Sequence, residues 1–175
     1  MFLNKIKIFL LISICLIFFF LTYNDVKSEE IKVISGIAKV TDGDTIKINK
    51  KKIRLMGIDA PEKKQKCKKT WLSISFISFE KEYACGQIST DRLKTKINDK
   101  FVICNYSNKD QYKRYIAECF LNKTNINSWM VRTGHALAYR KYSKKYIIQE
   151  TLAKKDKIGL WSGTFEKPWN YRKKN

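Results

Sequence analysis

The amino-acid sequence predicts an α+β domain. Three observations carry this: five short runs with β-branched or alternating character, tight-turn dipeptides between the first of them, and three runs with helical spacing. The strand runs come as a group of three and a group of two with a helical run between them, and two further helical runs follow.

The first strand covers Ile31–Val40, IKVISGIAKV, rich in β-branched residues and bent at Gly36. Asp42-Gly43 is a tight-turn dipeptide, so Ala38–Val40 and Thr45–Ile48 pair as a hairpin. Asn49–Lys51 turns the chain again, and Lys52–Met56 returns as a third strand. After Pro61 come a lysine cluster, Lys63–Lys69, and the alternating run WLSISFISF. That run reads as a β-ribbon or as an amphipathic flap held by Cys67, packed over the domain edge. Tyr83–Asn98 places Ala84, Ile88, Leu93 and Ile97 at helical spacing, with Arg92, Lys94 and Lys96 outward. Phe101–Tyr106 and Tyr115–Leu121 are the last two strands, and the polar tract Ser107–Gln111 is the turn between them. Asn125 or Thr124 caps a short helix carrying Ile126, Trp129 and Met130, closed by Gly134. Ser143 caps a last helix in which Ile148 and Leu152 stack, ended by Gly159 before Leu160 and Trp161. This order fits a five-stranded OB-type β-barrel (Greek key) with three helices. A meander sheet with helices on one side has the same order, so periodicity alone reaches α+β.

The 175 residues hold one compact domain and a terminal extra. Lys5 and Lys7 precede the apolar run Ile8–Leu21, and a polar stretch, Thr22–Glu30, follows. This is the layout of a secretory signal over residues 1–28, with cleavage after Ser28. The competing reading is an uncleaved membrane anchor over residues 8–21, which is short against the roughly 20 residues of a bilayer span. Removal of residues 1–28 takes three lysines and one aspartate and lowers the formal charge from +20 to +18. A single-sign field of that size gathers polyanions, so nucleic acid or an anionic membrane face is the expected partner. Lysine-rich codon bias explains many of the lysines but not the placement of the arginines. Beyond Cys15 in the leader, four cysteines remain, an even number that suits two disulfides in an exported domain, with three connectivities open. Sequence proximity favours Cys67 with Cys85 and Cys104 with Cys119. With no Cys-x-x-Cys and a single histidine, His135, a zinc set is excluded.

The chemistry gathers in Thr41–Glu62, which holds Asp42, Asp44, Asp59 and Glu62 together with Arg54. Asp44 follows a tight turn and Asp59 a strand end, and a hairpin brings such ends together. Two carboxylates, a backbone carbonyl and water suit calcium or magnesium. Glu62 is the available general base, because His135 lies in an apolar context and reads as structural. Arg54 and Arg114 can fork two hydrogen bonds onto phosphate oxygens. A cation, a base and two arginines on a basic scaffold describe phosphodiester hydrolysis.

These pieces resemble the staphylococcal nuclease (thermonuclease) family, in particular its cysteine-bearing bacterial type. The carrying motifs are DGDT at Asp42–Thr45, IRLMGIDAPE at Ile53–Glu62, DQYKRYIAEC at Asp110–Cys119 and KIGLWS at Lys157–Ser162. The resemblance covers about Ile31–Trp161 and implies an OB barrel with three helices and a calcium-dependent nuclease acting on DNA and RNA. It implies that Asp44, Asp59 and the Ala60 carbonyl bind Ca2+, with Asp42 an acid behind them. It makes Glu62 the base, Arg54 and Arg114 the phosphate-binding arginines, and Tyr112, Tyr139 and Tyr142 the nucleotide-site tyrosines. The domain then spans residues 29–164 of a monomer, secreted or periplasmic, with a tail over 165–175. Ala60 replaces a threonine, which a carbonyl ligand survives. Lys113 stands where a glycine is usual and, at positive φ, is expected to move Arg114. The tail Phe165–Asn175 lies past the matched region and packs an edge through Trp169. The alternative function is a catalytically inactive OB-fold nucleic-acid-binding module, with tyrosines stacking bases and lysines tracking phosphates.

Overall fold

The computed structural model describes residues 31–174 and, in the amino-terminal segment, residues 7, 10 and 12–15. The chain divides into two units, residues 1–30 and 31–175. The expected signal boundaries, the alternative anchor's extent and the cleavage point fall outside the described residues. Among the described residues, no helix is long and apolar enough to cross a membrane.

In the larger unit, β1 (Lys32–Asp42), β2 (Thr45–Ile48) and β3 (Lys51–Leu55) form the expected antiparallel meander. A short β4 (Ile58–Asp59) follows, then the ribbon β5 (Cys67–Ile74) and β6 (Ile77–Tyr83) and helix α1 (Cys85–Ile97). Strands β7 (Phe101–Lys109) and β8 (Tyr115–Leu121) complete the sheet in the order β3-β2-β1-β7-β8. Parallel pairing of β3 with β8, Arg54 beside Ile116, closes it into the five-stranded barrel. Closure removes the sheet edges that would otherwise invite pairing with other chains. Ile46, Ile48, Ile53, Leu55, Val102 and Ala117 fill the interior and are fully buried. Each branched side chain contributes about 1.5–3 kcal/mol on leaving water.

The last strand pair runs further than its sequence indicates. Tyr106 to Asn108 forms an irregularity in the register, and beyond it Lys109 still pairs with Tyr115, so the turn is residues 110–114 rather than Ser107–Gln111. Cys104 lies opposite Cys119 in this register and is disulfide-bonded to it, and Cys67 is bonded to Cys85. Two disulfides belong in a non-reducing compartment. The WLSISFISF run is a β-ribbon with Leu72 opposite Phe79 and Ile74 opposite Ile77 on one face, and Ser73 opposite Ser78 on the other. Its apolar residues are exposed, so it does not pack over the domain edge.

After a two-residue β9 (Thr124–Asn125), Asn125 caps helix α2 (Ile126–Arg132), its side chain accepting the Ser128 N–H at 2.9 Å. Gly134 closes this end at φ +69°. Strand β10 (Leu137–Ala138) and helix α3 (Ile147–Lys155) follow, then a 3-10 turn over Gly159–Ser162. Ser143 accepts the Lys145 N–H upstream of α3 and does not cap the helix itself. Ile148 and Leu152 point outward, and the inner face is made by Glu150 and Ala153. Similarly, α1 buries Gly86, Thr90, Leu93 and Ile97, while Ala84 and Ile88 are exposed. A fourth helix, α4 (Pro168–Lys174), lies in the tail where only edge packing was expected.

Glu118 of β8 fastens the start of α3 to the barrel. It accepts hydrogen bonds from Lys145 at 2.7 Å, the Tyr146 hydroxyl at 2.8 Å and Asn125 at 2.6 Å. Burial works to raise its pKa, but these donors outweigh burial and hold the carboxyl below its ordinary value of 4.5. Such a group contributes its full stability above pH 4.5 and loses it as pH falls from there through the folded value. Glu118→Gln should therefore cost about 1.5–3 kcal/mol near neutral pH in urea unfolding. The gap from wild type should narrow as the pH is lowered through that window.

Candidate active site

The turn between β1 and β2 sets the first carboxylates. Asp42 accepts the Asp44 N–H at 3.2 Å, a side-chain turn two residues long that aims Asp44 back toward β3. The Asp44 carbonyl accepts the Leu55 N–H at 2.8 Å, and Thr45 lies opposite Arg54 in the β2–β3 register. Arg54 thus stands next to Asp44. Gly57, at φ +72°, reverses the chain between β3 and β4 and places Asp59 within reach of the same guanidinium. Arg54 Nη1 donates to Asp44 Oδ1 at 2.8 Å, and Nη2 to Asp59 Oδ1 at 2.6 Å. Asp44 also accepts from the Thr45 hydroxyl at 3.0 Å and from the Ala60 N–H at 3.1 Å.

Asp44 and Asp59 are 5% and 0% exposed, so both carboxylates sit in protein and not in water. Burial raises the pKa of Asp59, with the guanidinium groups of Arg172 and Arg54 pulling the other way. Burial, and then the nearby charge of Asp44, push Asp42 up to about 6. Crowded, desolvated carboxylates of this kind call for positive charge. The donors are hard oxygens, which fits an oxygen-ligated divalent cation. Among the described residues, no group of three or more His, Cys, Asp or Glu side chains converges, so such a cation would draw further ligands from backbone and water.

Glu62 follows Pro61 on a loop held from beneath by the fully buried Gln65. The Glu62 N–H donates to Gln65 Oε1 at 3.2 Å, and the Gln65 N–H to the Glu62 carbonyl at 2.7 Å. The Glu62 side chain bonds Arg172 of α4, Nη1 to Oε1 at 2.7 Å, and the same guanidinium donates through Nη2 to Asp59 Oδ2 at 2.7 Å. Asp44, Arg54, Asp59, Arg172 and Glu62 therefore form one connected network. Arg172 has no counterpart in the sequence reading. The signal that points to it is its type, since it is one of six arginines against thirty lysines among the 36 basic residues.

Arg114 stands apart from this network. Asp110 accepts its backbone N–H at 2.9 Å and its Nε at 2.7 Å, and its guanidinium lies over the Tyr112 ring at 5.3 Å. Lys113 does adopt φ +62°, at a penalty of roughly 1 kcal/mol. Asp110 holds the turn around it, so Arg114 still enters β8 beside β3. Tyr112 is 69% exposed at the turn. The other two tyrosines follow β10, whose pairing with β4 puts Leu137 opposite Asp59. The Tyr139 N–H reaches the Gly57 carbonyl at 2.9 Å, and its ring meets Tyr142 edge-on at 4.9 Å. Tyr139 is also stacked on Trp169, with ring centroids 5.1 Å apart. At His135, burial first and the charge of Arg92 second lower the pKa to about 4, so the ring is neutral near pH 7.

A closed OB-type barrel with paired carboxylates, a bridging arginine and a glutamate at one end defines a class. The match to the family described as Staphylococcal nuclease homologue, over residues 52–163, identifies it, and the chain belongs to this family. A protein of Escherichia coli named as an uncharacterized endonuclease is 33% identical over 147 residues, covering 78% of this chain and 84% of that one. A Haemophilus influenzae protein with the same name is 36% identical over 133 residues, covering 72% of this chain and 65% of that one. A probable staphylococcal-like nuclease of Oryza sativa subsp. japonica is 32% identical over 133 residues, covering 74% of this chain and 30% of that much longer one.

The close seat of α1 against the Glu62 loop gives a direct test of the site's rigidity. A Cβ at Gly86 would overlap the Glu62 carbonyl oxygen, which is backbone and cannot rotate away. Gly86→Ala should therefore destabilise the fold by about 1–3 kcal/mol. It should also weaken amide-exchange protection at the Glu62 and Gln65 N–H groups more than at those of the barrel strands.

Proposed function

We propose that the chain is an exported, calcium-dependent nuclease that hydrolyses phosphodiester bonds of DNA and RNA. The observation that carries this reading is the network in which Arg54 bridges buried Asp44 and Asp59 with Glu62 alongside, in a chain of formal charge +20. Family membership and the endonuclease and nuclease names of its relatives support it.

In this reading Asp44, Asp59 and the Ala60 carbonyl hold Ca2+, with Asp42 behind them. Calcium, when bound, supplies positive charge beside the scissile phosphate. Glu62 takes the proton of the attacking water as the water oxygen bonds to phosphorus. The bond from phosphorus to the 5′ oxygen breaks, and that oxygen takes a proton from solvent water, leaving a 3′-phosphate and a 5′-hydroxyl. Arg54 and Arg114 donate to the phosphate oxygens as negative charge gathers on them. Tyr112, Tyr139 and Tyr142 flank the nucleotide. The lysines draw the polyanion in over a longer range, with a pull that weakens as salt rises. Residues 1–28 act as the export signal of a monomer, in keeping with the two disulfides.

Purified protein should release acid-soluble nucleotides from single-stranded DNA in millimolar calcium and stop on addition of EDTA. Glu62→Ser should lose this release. Arg54→Ala should lower kcat by about 10²–10³. Because it also strands two buried carboxylates, at about 3–5 kcal/mol of stability, Arg54→Lys is the companion that separates charge loss from unfolding. Binding that persists in EDTA with no cleavage in calcium would replace this reading with a binding module.

A further inference from the structure

The tail past the matched family region reaches into the site. We propose that Arg172 is a positioning residue of the active site, holding Glu62 and Asp59 in one fixed relation, so that α4 belongs to the catalytic unit. This rests on the reading of Glu62 as the base.

Glu62 sits on an exposed loop, with its side chain 42% exposed, and a lone glutamate there would sample many rotamers. Arg172 removes that freedom. Its planar fork gives one nitrogen to Glu62 Oε1 and the other to Asp59 Oδ2, both at 2.7 Å. Asp59 is itself locked, because Arg54 holds its other oxygen. The glutamate is therefore referenced to the most deeply buried carboxylate of the site.

A removable plug would make the same contacts, so the anchoring of the tail decides between the two. Lys68 and Thr164 exchange two backbone hydrogen bonds, each 2.9 Å. Gln65, which holds the Glu62 loop, donates Nε2 to the Glu166 carbonyl at 2.7 Å and is fully buried. Trp161, Phe165 and Trp169 pack on a second apolar cluster that contains Leu137, Leu160 and the Cys67–Cys85 disulfide. Trp169 also stacks on Tyr139 within 7° of parallel. Lys174 closes the segment on Glu166 at 2.6 Å. Releasing the tail would open a buried amide, a disulfide-bearing apolar cluster and a strand bridge together. A part seated this firmly is built in.

The test uses the full chain with point substitutions and steady-state cleavage of single-stranded DNA in calcium. Arg172→Ala should lower kcat by about 10–100-fold, in the range for residues that orient a reacting group. KM should stay within about threefold, since ground-state binding is untouched. Arg172→Lys should regain part of kcat, and Lys173→Ala should leave kcat unchanged. Without metal or substrate, a double-mutant cycle of Arg172→Ala with Glu62→Gln in urea should be non-additive, a readout independent of turnover. A rise in kcat on Arg172→Ala would show that the tail is an inhibitory plug and overturn the proposal. An unchanged kcat, in an enzyme that Glu62→Gln inactivates, would also overturn it and leave the nuclease reading intact. A wild type with no calcium-dependent cleavage would overturn the nuclease reading, and the positioning role with it, before any Arg172 variant is compared.

Discussion

Two carboxylates taken out of water within reach of one guanidinium set the terms for much of this structure. Asp44 and Asp59 are almost wholly buried, and each buried ion carries a desolvation penalty of several kcal/mol. The surrounding chain is arranged to offset it. Arg54 opposes Thr45 in the β2–β3 ladder, so its side chain emerges beside Asp44. Gly57 bends the chain so that Asp59 returns to the same arginine. The Thr45 hydroxyl, the Ala60 amide and Arg172 add further hydrogen bonds to these oxygens. Barrel register, turn chemistry and tail docking thus answer to one electrostatic demand. A site so compensated is also preorganised, because each carboxylate oxygen is fixed by a neighbour that is itself fixed.

The part of this arrangement legible in the sequence is the part made by neighbours along the chain. Asp42, Asp44, Arg54, Asp59 and Glu62 lie within one hairpin and its exit, and an Asp-Gly turn between β-branched runs brings such residues together with little help from the rest of the fold. The disulfides were readable for the same reason, since Cys104 and Cys119 face each other across one strand pair. The helices were less so. Their existence followed from spacing, but Ile88, Ile148 and Leu152 face outward where apolar periodicity turned them inward. In α1 the packing face must approach the Glu62 backbone, which selects Gly86 over any larger residue. In α3 the inner face carries Glu150, which accepts the Ala138 N–H and bonds Arg140 and Lys154. Periodicity counts apolar residues, and neither a required small residue nor a satisfied buried acid registers in it.

The contacts of Arg172 were illegible for a different reason. This arginine meets Glu62 and Asp59 from 110 and 113 residues away, across a contact that depends on the whole barrel and on Gln65. Trp169 marks Pro168–Lys174 as a segment that packs an edge, but nothing local says that its arginine meets the carboxylates.

The two kinds of basic residue nevertheless divide the work in a way that ties the tail to the site. Among the described residues, Arg54, Arg114, Arg132, Arg140 and Arg172 each pair with a carboxylate at 2.6–2.8 Å. The more numerous lysines mostly decorate exposed surface, where each contributes to a field that salt attenuates within about 8–10 Å. A diffuse field needs only charge, so any cation serves and composition can drift. A fixed angle between two carboxylates needs a planar donor with two parallel bonds, which lysine cannot provide. Arginine at position 172, in a tail whose other basic residues are lysines at 167, 173 and 174, is therefore a geometric choice rather than an electrostatic one. That geometry ends on the acids that the carboxylate hairpin contributes, which makes the last helix continuous in purpose with a stretch more than a hundred residues before it.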